Sequence, residues 1–327
     1  MRERAQIRLL ADGRRLHLHD GPIDLIVEAF GAVGEIDAAY RAAAQRFVTV
    51  LDELCSELPL LREPARSGGP RVSGVIARRM VAAVAPYGDW TFITPMAAVA
   101  GAVAEEILGA MTSAAHLTRA YVNDGGDIAL HLGPGERFVV GMVERPDRPS
   151  LFGAATLDST QPVRGIATSG WRGRSFSLGI ADAVTVLADR AAQADAAATV
   201  IANAVDLPGH PSVIRVPARS LAPDSDLGDR LVTQAVGELS PWKIAAALDA
   251  GASAAHLLLS GGLICSAALR LRGTTRIVGL ARQLDSALTV EQFIDKPQRV
   301  VIPRSESDEE STVLCLSATA DPSLRSG

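Results

Sequence analysis

Apolar residues recur at helical spacing from residue 36 to residue 58, where Pro59 closes the run, and this predicts a long amphipathic helix. Ahead of it, residues 6–10 and 15–19 read as a short strand pair turning at Ala11, Asp12 and Gly13. A Gly/Pro/Ser-rich connection over residues 64–70 leads to a second helical pattern, 72–84, which stops before Pro86. Thr94 followed by Pro95 reads as an N-cap with proline in the first turn, opening a helix to about Leu108. The pattern then changes to alternation rich in β-formers at 119–132, 137–143, 156–157, 163–167 and 183–187. An alanine-rich helix surrounds Asp195, and a strand follows at 212–216. Helix returns from Asp229 and runs through 241–249, and the last strands are 263–271 and 275–279, joined across Arg272, Gly273 and Thr274. This order predicts an α+β fold of mixed or antiparallel sheets covered by alanine-rich helices. Residues 1–294 are expected to form that domain, and 295–327, with the run Ser305 to Ser311, a flexible acidic tail.

Composition narrows the chemistry. A net charge of −5 and 4% aromatic residues argue against nucleic acid as a partner, because phosphate neutralisation and base stacking both lack material. The two lysines, Lys243 and Lys296, and the absence of Gly-Lys-Ser/Thr exclude a phosphate loop of the Walker type. Cys55, Cys265 and Cys315 match no metal or redox spacing and read as ordinary thiols. The longest apolar stretch, 96–108, is interrupted by Glu105 and Glu106, so no membrane span is expected. The N-terminus is charged without an apolar core, so the expectation is a cytoplasmic protein. His17 and His19 share a strand face; with no third ligand nearby in sequence they read as a solvated edge more readily than as metal ligands.

The candidate chemistry centres on the alanine-rich helix. Residues four apart face the same way, so the Asp195 carboxylate and the Thr199 hydroxyl project side by side as two hard oxygens suited to Mg²⁺. The plainer reading is a helix-dipole carboxylate beside a threonine bonded to its own helix. Three other segments bear on that choice. Gly125-Gly126-Asp127 follows a strand and reads as a hairpin turn whose backbone admits a close ligand. Thr168-Ser169-Gly170, followed by Arg172 and Arg174, reads as a surface loop or a phosphate-contacting one. Val184-Thr185-Val186 is a strand feeding the Asp195 helix. Asp224, Asp226 and Asp229 read as a turn with a helix start, with assistance to a metal as the alternative.

Taken in order, Gly125-Gly126-Asp127, Thr168-Ser169-Gly170, Val184-Thr185-Val186 and Ala194-Asp195-Ala196-Ala197-Ala198-Thr199 resemble the motifs of the ApbE superfamily, which includes magnesium-dependent FAD:protein FMN transferases. The resemblance implies that Asp195 and Thr199 hold Mg²⁺ against the FAD diphosphate. It also implies that Gly125, Gly126, Asp127, Thr168, Ser169 and Gly170 line the site of a flavin nucleotide, FAD or FMN, whose FMN passes to an acceptor protein. Transferases of the superfamily carry His-x-x-Asp-Pro-x-Thr-Gly before the Val-Thr-Val strand; residues 171–182 here contain no histidine and no Asp-Pro. In this the chain resembles a cytoplasmic branch of the superfamily without that histidine. Two readings stay open: an enzyme that transfers FMN or hydrolyses FAD, and an accessory protein that binds a flavin or nucleotide without turnover.

Overall fold

The structure, a computed structural model, describes residues 5–66, 69–143, 151–279, 284–285 and 299–301. Nine strands form one antiparallel sheet: β1 (Gln6–Leu9), β2 (Leu16–Asp20), β3 (Ile23–Phe30), β4 (Arg119–Asp124), β5 (Asp127–Leu132), β8 (Gly165–Ser169), β9 (Ala183–Ala188), β12 (Ser266–Leu271) and β13 (Thr274–Gly279), in that spatial order. Alternation sorts their side chains between two cores. Val27, Ala120, Val122, Ala129, Ala167, Val184, Val186 and Leu269 turn to a layer of helices. Tyr121, Ile128, Leu130, Ile166 and Leu187 turn the other way, onto Phe138, Val140, Ala155 and Leu157 of a smaller sheet. That sheet has the order β14 (Leu284–Asp285), β7 (Leu151–Asp158), β6 (Arg137–Val143), β15 (Arg299–Val301), and β15 runs parallel to β6. The architecture is α+β with an antiparallel and a mixed sheet, as the pattern predicts.

The helical layer comprises α1 (Val33–Leu61), α2 (Val75–Val84), α3 (Val99–Ala114), α4 (Ala191–Ala204) and α6 (Pro241–Ser260), with a short α5 (Ala218–Leu221) beside the two-stranded arm of β10 (Val213–Pro217) and β11 (Leu231–Val236). In α1 the residues Ala39, Ala43, Phe47, Val50 and Leu54 are buried at spacings of three and four, the stripe expected of a helix lying on a core. Each large side chain in it contributes roughly 1.5–3 kcal/mol of burial.

The position of α4 explains its composition. It packs on β8 and β9 and is flanked by α2, α3 and α6. Nine of its residues are buried, seven of them alanine. Its neighbours come to backbone distance: a β-carbon on Gly101 of α3 would strike the Ala191 carbonyl, one on Gly165 of β8 would strike Arg190, and one on Gly179 would strike the Ala202 carbonyl. Only small side chains fit there, so Gly101 serves close helix packing. The stretch Pro95–Ala114 is long and apolar enough to cross a membrane. Its Ala102, Val103, Ala104, Ile107 and Met111 are instead fully buried in the protein core.

Several expectations are corrected. Pro59 lies inside α1, which continues to the buried Leu61; a proline this close to a helix end forfeits little of the ladder. Thr94 does stand at the N-cap with Pro95 in the first turn, but the turn Pro95–Ala98 is 3₁₀ and leads into α3 at Val99, and the Thr94 hydroxyl makes no capping bond, bonding Asp226 instead. The segment after Asp229 is the strand β11, not helix, because its Val232 and Val236 bury one face beside β10. Helix α6 then extends from Pro241 to Ser260, well beyond Asp249. Strand β3 has no counterpart among the predicted elements. Apart from residues 299–301, the expected tail lies outside the described residues, as does Cys315.

Candidate functional site

Gly125 and Gly126 close the β4–β5 hairpin with φ of +62° and +117°, a left-handed pair that residues with a β-carbon adopt only under strain. Asn123 Oδ1 accepts from the Gly126 amide at 2.9 Å and locks the turn. The tight register sets Asp124 directly opposite Asp127. Alternation from the buried Val122 and Ala129 puts both carboxylates on the helical side of the sheet. Asp127 Oδ1 accepts from the Thr168 amide at 3.2 Å, and Asp124 accepts from the backbone N–H of Asp24.

Helix α4 supplies the third acid. Asp195 Oδ2 accepts from the Gly101 amide at 3.1 Å, and the Ala100 amide also bonds the carboxylate. Asp195 therefore caps the first turn of α3, while Glu105 of α3 accepts from the Ala192 amide at 2.9 Å and caps α4 in return. The helix-terminus reading of Asp195 is thus right in kind, but the helix it caps is a neighbour. Each of the three carboxylates feels another. Asp195 is pushed up to about 7, chiefly by burial and also by the Asp124 charge, against the pull of the Gly101 and Ala100 amides. Burial, then Asp195, holds Asp127 well above the usual carboxylate range. Asp124 is raised by burial and by Asp127, against the opposing pull of the Arg174 guanidinium. Arg174 reaches over Gly125, 3.3 Å from where a β-carbon would stand, and donates to the Pro22 carbonyl at 3.2 Å.

Thr199 lies one turn beyond Asp195 and lines a separate small cleft with Phe92, Thr94, Phe176, Asn203 and Asp226. Thr94 donates to Asp226 Oδ2 at 2.5 Å across it. Asn203, one turn further along α4, accepts from the Leu178 amide at 2.9 Å and the Ser177 hydroxyl at 3.2 Å, fixing residues 177–179 against the helix. Residues 195, 199 and 203 thus form one polar stripe on a helix whose remaining residues, apart from Gln193, are apolar. The stripe meets the carboxylates at its start and the cleft further along.

The other expected site residues divide. Thr168 offers its amide to Asp127, but its hydroxyl bonds Thr185 Oγ1 at 2.9 Å on the opposite face of the sheet. Ser169 follows on the carboxylate side by alternation. A β-carbon on Gly170 would stand 2.6 Å from the Asp182 carbonyl, so that glycine seats the 170–182 loop. In that loop Arg172 Nε and Trp171 Nε1 both donate to Asp182 Oδ1, at 3.0 and 3.1 Å, while Asp182 Oδ2 takes the Arg272 amide. Of the three acids near residue 226, only Asp226 faces the cleft, and the exposed Asp229 pairs with Arg219 at 2.5 Å. Sequence reasoning missed Asp124 and Asn203. An Asp-Gly-Gly-Asp hairpin pairs its flanking acids by register, and Asn203 stands four residues after Thr199, so both signals were present. The expected solvated edge at His17 is corrected: its ring is buried and bonds Asp24 Oδ1 at 2.5 Å, since β1 and β3 flank it.

The family model described as AbpE bacteria (AbpE_bact) matches residues 7–277. The chain belongs to this ApbE-like family. The matched range contains every strand of the nine-stranded sheet at least in large part, together with the carboxylate hairpin and the whole of α4. The chain is 39% identical over 137 residues to a UPF0280 protein of Methanopyrus kandleri, an alignment covering 42% of this chain and 50% of that one. It therefore spans about half the length of this curated relative. Among solved structures, it is similar to the ApbE protein of Thermotoga maritima, with 12% identity and a TM-score of 0.44 over 85% of this chain and 97% of that one. It is similar to the flavin transferase ApbE of Vibrio cholerae with 11% identity and a TM-score of 0.43, over the same shares.

Proposed function

We propose that this ApbE-like protein binds a flavin nucleotide, FAD or FMN, through Mg²⁺ held at the meeting of the β4–β5 hairpin and α4. The single observation that carries this reading is the placement of Asp124 and Asp127 opposite one another on the β4–β5 hairpin, on the side of the sheet covered by α4 with its Asp195, where burial raises all three carboxylates. Clustered carboxylates in such surroundings are costly unless a cation joins them, and an all-oxygen donor set is the kind that Mg²⁺ takes. Asp195 with Asp124 or Asp127 would hold the ion, and Thr199 would add its hydroxyl from the cleft side. Bound there, Mg²⁺ would neutralise a diphosphate and polarise a phosphoryl oxygen. The Gly125–Gly126 turn, the Thr168 and Ser169 segment and Gly170 form the nucleotide's side of the site in this proposal. Arg174 is the permanent cation beside it. The cleft at Thr199 encloses about 40 Å³, room for water or an ion and not for an isoalloxazine ring, so in this proposal the ring lies outside it.

A transfer reaction at this site would break the FAD pyrophosphate bond, join FMN to a hydroxyl of an acceptor protein or to water, and release AMP. A second reading, binding without turnover, is favoured by residues 171–182: they contain no histidine, and Asp182 is occupied by Trp171, Arg172 and the Arg272 amide. Incubation of the purified chain with FAD, Mg²⁺ and candidate acceptor proteins, followed by chromatography for AMP, separates the two. Calorimetry with FAD and FMN tests the binding they share. Flavin binding that needs Mg²⁺ supports the proposal, and failure to bind either flavin with Mg²⁺ present rejects it.

A further inference from the structure

On the face of the sheet opposite the helices, at the β2–β3 hairpin, stand two imidazoles and a carboxylate that the flavin reading does not use. His17 and His19 are two apart on β2 and so share a face, and Asp24 on β3 is the register partner of His19. The third ligand that the local sequence lacked comes from the neighbouring strand. His17 Nε2 lies 2.5 Å from Asp24 Oδ1, His19 Nδ1 lies 3.8 Å from the same oxygen, and the ligand atoms of all three fall within 4.8 Å of one another. The two rings stack at 6.1 Å with 26° between their planes. We infer that His17, His19 and Asp24 form a binding site for a divalent transition metal of the zinc class, with ligands distinct from those of the carboxylate site on α4.

The chemistry of the donors sets the metal class. Imidazole nitrogen favours zinc, cobalt and nickel over magnesium, and two histidines with one carboxylate leave a fourth, open position in a tetrahedral ion. Metal–ligand distances of about 2.0–2.2 Å place tetrahedral ligand atoms roughly 3.3 Å apart. Reaching that spacing from 2.5, 3.8 and at most 4.8 Å takes only side-chain adjustment on a hairpin whose backbone is already paired. The His19 side chain, 38% exposed, gives entry from solvent, while His17 and Asp24 are buried and preset. The outer shell is visible too. Asp24 donates its backbone N–H to Asp124, and Arg8 Nε donates to His17 Nδ1 at 3.2 Å. That Arg8 bond requires the proton to sit on Nε2, so a metal at Nε2 must shift it to Nδ1 and displace Arg8, which belongs to the exposed edge strand β1.

The test is a Co²⁺ titration of the untagged, EDTA-stripped full chain, with millimolar Mg²⁺ present throughout to fill the carboxylate site. The expected result is one Co²⁺ per chain with visible bands of a four-coordinate ion and no intense thiolate band. His19→Ala should weaken binding by more than the ~10–100-fold typical of a lost outer-shell partner. Asp24→Asn should do the same, and Arg8→Gln should tighten binding, because its amide oxygen accepts from Nδ1–H. His256→Ala, exposed on helix α6 over the β12–β13 end of the sheet, should leave the titration unchanged. Co²⁺ affinity equal in the native chain and His19→Ala overturns the proposal, as does a thiolate band that assigns the metal to a cysteine.

Discussion

The two ends of the polar stripe on α4 are built on opposite principles. At Asp195 the helix presents an acid to two more acids, and the amides of Ala100 and Gly101 offset only part of that charge. At Asn203 the helix presents a neutral amide whose oxygen is taken by the Leu178 amide and the Ser177 hydroxyl, and nothing there asks for an ion. Thr199 stands between them. The contrast shows how one helix can be both anchor and site: its neutral end fixes a loop, its charged end stays electrostatically incomplete, and alanine elsewhere lets both ends sit at backbone distance from their neighbours.

The largest perturbation should abolish the contrast altogether. Gly101→Val would drive a side chain into the Ala191 carbonyl, part α3 from α4, and lose both the Asp195 and Glu105 caps. Urea unfolding should show a loss of ~3 kcal/mol, the upper range for overpacking.

A pH series sharpens the charged end. Asp195 has a folded-state pKa raised from 3.8 to about 7, and Asp124 and Asp127 shift the same way. The folded protein then holds protons more tightly than the unfolded chain, so this stabilisation is full below about pH 4 and is lost as pH rises through 7. Without divalent ions the chain should be less stable at pH 8 than at pH 5 by on the order of 1–2 kcal/mol, after discounting for partial solvent access. Mg²⁺ should raise the melting temperature at pH 8 more than at pH 5. An apo stability that climbs between those values would contradict the cluster.

At the neutral end, Asn203→Ala leaves the Leu178 amide without its acceptor and should cost about 1–2 kcal/mol in the same unfolding measurement, with the pH dependence kept. Smallest of all, Thr94→Val removes the bond to Asp226 across the cleft and should cost about 1 kcal/mol or less, read as a shift in the denaturation midpoint.

Much of the fold is legible in the sequence. Alternation marked out β4, β5 and β9, helical spacing marked α1, and the pairing of Asp195 with Thr199 gave the stripe two of its three members. What escaped depended on partners distant in sequence. Strand β3 shows no clean alternation because its two acids are buried along with its apolar residues: Asp24 bonds His17, and Glu28 takes the Arg14 guanidinium and the Tyr121 hydroxyl. Thr94 sits at the cap position its sequence marks, but its hydroxyl is claimed by Asp226, which lies 132 residues away. The position of Asp195 at the first turn of α3 rests on the Gly101–Ala191 contact between two helices, which no local pattern encodes.

The most direct test of the central claim is calorimetric titration of FMN into the chain with and without Mg²⁺, repeated on Asp195→Asn, whose amide oxygen can still cap α3. The account predicts flavin binding that requires Mg²⁺ and is lost or weakened at least tenfold in the variant. Flavin binding of equal strength with Mg²⁺ removed, or unchanged in Asp195→Asn, would contradict it.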